Sequence, residues 1–348
     1  MAGIFRCSNI ELCRIISIVF VLLVHTTFQS LGYVETCKDI GVSLLAAFTI
    51  IGVNVFVLIT GYFSVTPKWT SISNLIFICF FWFLIGLLCK YYGGQNIGYE
   101  PFFFITRSNW FIPAYIGLLF MAPVLNAFCD SASQSTLKKV VIALIFIEVW
   151  FDLLPPSPTI RLGSHGGYSV FSFAILYLLA RYIRLYDVPS WFRKYSLLIY
   201  IFLSVLTALV SYKCYSLGHD CIPEILYKYS CPFVIISSVA FFITFQKLKV
   251  SESKVINHIA KSTLAVLLGH TAISFLYMPH FKWIYTQHSG IEVIGLWLLS
   301  IIIVFTSSIV LDQLRLIIYK PIDKWLHEHI KNNLVVQDQK CSNVANLP

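Results

Sequence analysis

Apolar residues run along this chain in long blocks rather than in the short alternating stretches of a soluble sheet protein. Blocks of about 17–25 apolar residues can cross a hydrocarbon core as helices. Ten blocks fit: residues 10–33, 40–65, 73–92, 110–128, 139–156, 167–186, 195–217, 229–247, 263–279 and 292–319, the fifth and ninth being the weakest. The expected fold is all-α, a polytopic integral membrane protein of about ten transmembrane helices. Residues 1–330 would form the transmembrane domain, and residues 331–348 a polar, disordered cytoplasmic tail. No internal repeat is visible, although many secondary transporters carry one.

Composition supports this pattern: over 348 residues, 58% are hydrophobic and only 12% charged, about half the charge of a soluble domain. The net charge of +9 would suggest nucleic acid in a soluble chain. In a membrane chain the excess Lys and Arg read as topology signals instead, and no nucleic-acid partner is expected. With the N-terminus inside, seventeen Lys and Arg fall on inside segments and seven on outside ones, with Arg14 inside the first span. An even number of spans then puts both termini in the cytoplasm. The first apolar block is too long for a cleavable signal peptide, holds a charge and lacks a small-residue cleavage site, so it is expected to be retained. Ten Cys are scattered without a CxxC pair, so no metal site is read from them. Cys214 and Cys221 share one connecting loop and could pair if it faces an oxidising compartment.

Candidate chemistry starts in the first span, NIELCRIISIVFVLLVHTTF, where Arg14 and His25 interrupt the apolar run. A helix turns about 100° per residue, so eleven residues return to nearly the same face after a rise of roughly 16 Å, about half a bilayer core. One face therefore carries a cation near the membrane surface and an imidazole near the midplane. Ionisable groups at that depth are costly and mark function by default. Arg14 reads either as a snorkelling interfacial residue paired with Glu11 or as a clamp for the phosphate of a cytosolic donor. For His25 the choice is between a hydrogen-bonded core histidine and a general base. The bilayer interior disfavours the charged ring, and a neutral imidazole is a competent base near pH 7. The polar Thr26 and Thr27 beside it favour the functional reading.

Other polar positions are weaker candidates. Gly52, Asn54, Thr60 and Gly61 interrupt the second span, where small residues permit close helix packing. Pro113 and Pro123 allow bends in the fourth. Glu148 and Asp152, at i and i+4, either bind an acceptor's hydroxyls or are solvated at the interface. His165, in the outer loop RLGSHGGY, could touch an acceptor, and His270 lies in the ninth span. Asp312 and Arg315, at i and i+3 in the tenth, read as a structural ion pair.

In order, these segments resemble the membrane-bound acyltransferase family 3, the bacterial O-acyltransferases of surface polysaccharides. Arg14 and His25 match the family's Arg-x10-His signature. NVFVLITGYF (54–63) resembles its FFVLSGYF-type second helix, with Thr60 where Ser is common. WFIPAYIGLLFMAPVLN (110–126) resembles a WFLyalygLYLlsPll stretch, STLAVLLGH (262–270) an SFGIYLIH ending, and LDQLRLIIYKPIDKWL (311–326) the closing LD.LR...P segment. Two departures stand out. Ala114 and Tyr115 occupy the neighbourhood where many members carry a Glu, and only Lys68 stands where many have an Arg-x-x-Arg pair.

The resemblance implies an integral enzyme of the bacterial cytoplasmic membrane. It would move an acyl group, most often acetyl, from cytosolic acyl-CoA to a hydroxyl of a surface or lipid-linked glycan. Donor, glycan acceptor and membrane lipids are then the partners, and no permanently bound cofactor is implied. His25 would be catalytic, Arg14 and Lys68 donor-binding, Glu148, Asp152 and His165 on the acceptor side, and Asn54, Thr60, Tyr115 and His270 supporting. The same ten helices would also suit an exporter of lipid-linked glycans without acyl chemistry, which accounts less well for the Arg14–His25 register. A polysaccharide polymerase would usually need a larger outer loop than residues 93–109 supply.

Overall fold

In the computed structural model, residues 7–95, 105, 109–153, 165–219 and 221–345 are described. Arg6, Arg107, Arg161 and most of the loop 93–109 lie outside them. Among the described residues the regular structure is helical: α1 (Ser8–Val24), α2 (Tyr33–Lys38), α3 (Ile40–Thr49), α4 (Gly52–Tyr62), α5 (Trp69–Tyr92), α6 (Phe111–Ser131), α7 (Gln134–Leu153), α8 (Val170–Tyr186), α9 (Ser190–Ser216), α10 (Cys221–Leu226), α11 (Pro232–Lys247), α12 (Lys254–Lys261), α13 (Thr263–Ala272), α14 (Ser274–Gln287) and α15 (Ile291–Ala345).

Among the described residues, six helical stretches are long and apolar enough to cross a membrane: Ser8–Gln29, Ile40–Tyr62, Trp69–Tyr92, Phe111–Ser131, Ser190–Ser216 and Ile291–Leu326. A seventh arises if α13 and α14, bent by 79°, form one broken span. The chain is therefore a multi-pass membrane protein, but the expected ten are not reached, for particular reasons. α7 carries Lys138, Lys139, Glu148 and Asp152, which interrupt its apolar run. α8 has 17 residues with Arg181 and Arg184 in its last turns, and α11 has only 16. At about 1.5 Å per residue both fall short of a 30 Å core. α15 is bounded by Ile291 and Ala345, and residues 322–345 contain no Gly or Pro.

α1 sits at the centre, packed by α3, α4, α11, α12 and α13. The long helices α5, α9 and α15 turn large apolar side chains such as Leu88, Phe202 and Ile303 outward, as a helix facing lipid must. Small residues set how closely the central helices approach. A Cβ at Gly52 would stand 2.7 Å from the Ser17 carbonyl on α1, and one at Gly61 would stand 2.6 Å from the Tyr177 carbonyl on α8. The two glycines are therefore interhelical contacts, one of the roles small residues serve in membrane bundles. Asn54, between them, donates from Nδ2 to the Tyr229 carbonyl at 2.9 Å and ties α4 to the segment before α11. At the start of α1, Ser8 Oγ accepts the Ser253 N–H at 2.9 Å and donates to Asn257 Oδ1 at 3.1 Å. These bonds hold the amphipathic α12 against the foot of α1.

Candidate functional site

α1 ends at Val24, with His25 as the next residue. From His25 to Gln29 the backbone widens into a π-helical turn, a form frequent at functional sites. A widened turn disturbs the i→i−4 ladder, and hydroxyls meet its carbonyls. Thr26 Oγ1 donates to the Leu23 carbonyl at 2.7 Å, Thr27 Oγ1 to Val24 at 2.9 Å, Ser30 Oγ to His25 at 2.8 Å and Tyr277 Oη to Leu22 at 3.2 Å. Such satisfaction is obligatory where water is absent. Thr26 and Thr27 thus serve the backbone of the turn that presents His25.

The imidazole of His25 is 8% exposed. Its Nδ1 lies 2.5 Å from Nε2 of His270 on α13, with ring centroids 4.6 Å apart. His270 is 1% exposed, and its Nδ1 is 2.9 Å from the Val266 carbonyl one turn back on α13. Two histidines 245 positions apart in sequence therefore form one buried pair, which His25 enters through Nδ1.

Eleven residues before His25, Arg14 lines a cavity of about 400 Å³ between α1, α4, α5, α6, α12, α13 and α15. Lys261 and Arg315 line it too, with Thr60, Asn74 and Tyr115 among polar wall groups and Phe56, Phe111, Leu264 and Leu267 among apolar ones. Its size is that of a small-molecule site, and three of its wall residues are cationic. Arg14 Nη1 also stands 3.3 Å from Glu11 Oε2, so the local pairing and the cavity position hold together. Arg315 is fixed from two sides: Nε donates to Asp312 Oδ1 at 2.6 Å and Nη1 to Asn74 Oδ1 at 2.8 Å. Thr60 Oγ1 donates to the Phe56 carbonyl at 3.0 Å, and Tyr115 stacks on Phe111. The cavity touches α13 at Leu267, three residues from His270.

The family model of acyltransferase family 3, described as an acyltransferase domain, matches residues 8–313. The chain belongs to acyltransferase family 3. No curated protein and no solved structure matches it. Membership in an acyltransferase family favours acyl chemistry over the transport alternative.

Several expected site residues of this acyltransferase family member stand elsewhere. Lys68 is exposed at the start of α5 and is not among the residues lining the cavity. Lys68 is the extended residue (φ −109°, ψ 146°) that caps the start of α5. Asn54 is occupied in packing, as above. Glu148 is 1% exposed and bonded by Ser172 of α8, so it is not the solvated interface residue of one sequence reading. The helical turn joining Glu148 to Asp152 points it into the α7–α8 contact instead. Lys228 Nζ donates to the Asp152 carbonyl at 3.2 Å. His165 is exposed in a short turn where Gly166 and Gly167 have φ of 72° and 96°. None of these three lines the cavity. Cys214 is a free thiol, and the side chain of Cys221 lies outside the described residues. Sequence reasoning missed Lys261, Asn74 and the cavity role of Arg315.

Proposed function

We propose that this chain is an integral-membrane O-acyltransferase. It moves an acyl group, acetyl in the first instance, from cytosolic acyl-CoA to a hydroxyl of a surface or lipid-linked polysaccharide. The observation that carries this reading is one helix holding two ends of a reaction path: Arg14 in a tricationic cavity, and the buried imidazole of His25 about 16 Å further along. Arg14, Lys261 and Arg315 would hold the donor's phosphates, with guanidinium groups gripping phosphate in two-pronged contacts. The apolar wall of Phe56, Leu264 and Leu267 would take the pantetheine arm.

Transfer then needs one base. His25 Nε2 takes the proton of the acceptor hydroxyl as its oxygen attacks the thioester carbonyl. The C–O bond forms, the C–S bond breaks, and the proton passes from Nε2 to the departing thiolate to give free CoA. If the same nitrogen first accepts the acyl group itself, a burst of CoA release without acceptor marks that route. Proximity in a dry site supplies much of the remaining rate.

We place the protein in the bacterial cytoplasmic membrane with ten crossings. α7, α8, α11 and the α13–α14 pair would complete the count as shorter or more polar crossings, accommodated by local bilayer thinning and snorkelling of their flanking charges, and both termini are cytoplasmic on the Lys and Arg asymmetry. A reporter active only inside the cell, fused after Pro348, is expected to work, and activity of an outward-only reporter there would contradict the orientation. Arg14→Ala is expected to raise the KM for acyl-CoA by about 10–150-fold, equivalent to one charge-assisted contact of about 1.5–3 kcal/mol. The KM for the acceptor is expected to stay within about twofold, since uniform loss of donor binding leaves later steps alone. Kinetics with unchanged donor dependence and a weakened acceptor dependence would remove Arg14 from the donor site. The reading as a whole is tested by supplying labelled acetyl-CoA to membrane vesicles. Base-labile label in glycan is expected, and its absence at all acyl-CoA concentrations counts against acyl transfer.

A further inference from the structure

We infer that His270 is a positioning residue that holds His25 in the tautomer with a bare Nε2, an inference that rests on the acyltransferase reading for its kinetic consequences.

The bonding leaves little choice. A backbone carbonyl only accepts, so His270 Nδ1, 2.9 Å from the Val266 oxygen, must carry a proton. A neutral imidazole has one such proton, so His270 Nε2 is a bare acceptor. That nitrogen faces His25 Nδ1 at 2.5 Å. Two lone pairs at that distance would repel, so the proton of His25 sits on Nδ1. Its Nε2 is then bare, as a general base or a nucleophile requires.

The lock is anchored in the fold. Val266 and His270 are i and i+4 on α13, so the carbonyl that fixes the tautomer belongs to the helix carrying the ring. Where an Asp orients the base of a serine hydrolase triad, a second imidazole stands here. The ring of Tyr277 is 5.8 Å from that of His270, while its hydroxyl is turned to the Leu22 carbonyl. When Nε2 of His25 takes the acceptor's proton, the bond from Nδ1–H to His270 becomes charge-assisted and strengthens. Both Nδ1 protons stay where they are, and only the hydroxyl proton travels, from oxygen to Nε2 to sulfur.

The test has a spectroscopic arm and a kinetic arm. The full chain, labelled with ¹⁵N-histidine in lipid vesicles, is measured by solid-state NMR, with His25 and His270 assigned by loss of signal in His25→Gln and His270→Gln. Wild type is expected to show His25 protonated at Nδ1 and unprotonated at Nε2, and His270→Leu to give a mixture of tautomers. A proton on His25 Nε2 in wild type would overturn the inference.

In vesicles supplied with labelled acetyl-CoA, His270→Leu is expected to lower kcat by about 10²-fold or more, as a wrong tautomer does in a triad. The KM for acetyl-CoA should hold within about twofold. His270→Gln, whose amide oxygen can accept from Nδ1–H, is expected to recover about tenfold of that loss. Equal loss in both variants, or a loss confined to KM, would assign His270 a packing role only. If the leucine variant fails to insert, the wild-type spectrum and the glutamine variant decide. If wild type transfers no acyl group, the acyltransferase reading fails while the spectrum still decides the tautomer.

Discussion

His25→Ala is expected to lower kcat for acyl transfer by about 10²–10⁴-fold, the usual cost of a lost general base. That corresponds to about 3–5.5 kcal/mol of transition-state stabilisation. The KM for acyl-CoA should change little, because Arg14, Lys261 and Arg315 stand at the other end of the path. The fold should survive. The variant leaves His270 Nε2 without its partner, a loss of about 1–3 kcal/mol for an unsatisfied buried group. The hydroxyl bonds of Thr26, Thr27, Ser30 and Tyr277 go to backbone carbonyls and do not involve the ring. Vesicle kinetics, with insertion checked by protein level in washed membranes, measure both. Full kcat in a normally inserted variant would make His25 a structural histidine.

The largest stability effect is expected at Asp312. Its carboxylate is fully buried, and Arg315, 2% exposed, bonds it at 2.6 Å. Asp312→Ala leaves the guanidinium buried and, among the described residues, bonded to Asn74 Oδ1 at 2.8 Å. Breaking a buried pair on one side costs about 3–5 kcal/mol, whereas replacing both partners by apolar groups is often neutral. Thermal unfolding of the purified protein in detergent should show a large drop for Asp312→Ala and partial recovery in the double variant Asp312→Ala/Arg315→Leu. The double variant would still bind donor poorly, since Arg315 also lines the cavity. An unchanged unfolding temperature for Asp312→Ala would mean that the carboxylate is not holding Arg315.

What the sequence could reveal was local. The Arg14–His25 register follows from helix periodicity alone, and the Glu11–Arg14 and Asp312–Arg315 pairs follow from i,i+3 spacing. The glycines at 52 and 61 were readable as packing sites because small residues interrupt an otherwise lipid-like run. Contacts across the chain were not readable: nothing in either segment says that His25 and His270 meet. Lys261 read as a topology charge, although its place at the end of an amphipathic helix just before STLAVLLGH was a usable signal. Asn74, a lone amide near the start of the apolar run of α5, was another. Helix length and composition together bring out fewer spans than the ten apolar blocks, because an apolar window measures composition and not helix length. α11 is apolar but short, α8 is short and carries Arg181 and Arg184, and the ninth block bends at Ile273. Lys68 was placed by analogy with a basic pair after the second helix, and it is exposed and not among the residues that line the cavity.

One measurement separates acyl transfer from its main alternative: base-labile acyl esters and total surface glycan, quantified together in cells carrying the wild-type chain or His25→Ala. An acyltransferase with His25 as its base predicts esters on the wild-type glycan, loss of nearly all of them in the variant, and equal total glycan in both. Unchanged ester levels in the variant, or a fall in total glycan with no ester ever present on the wild-type product, would contradict it.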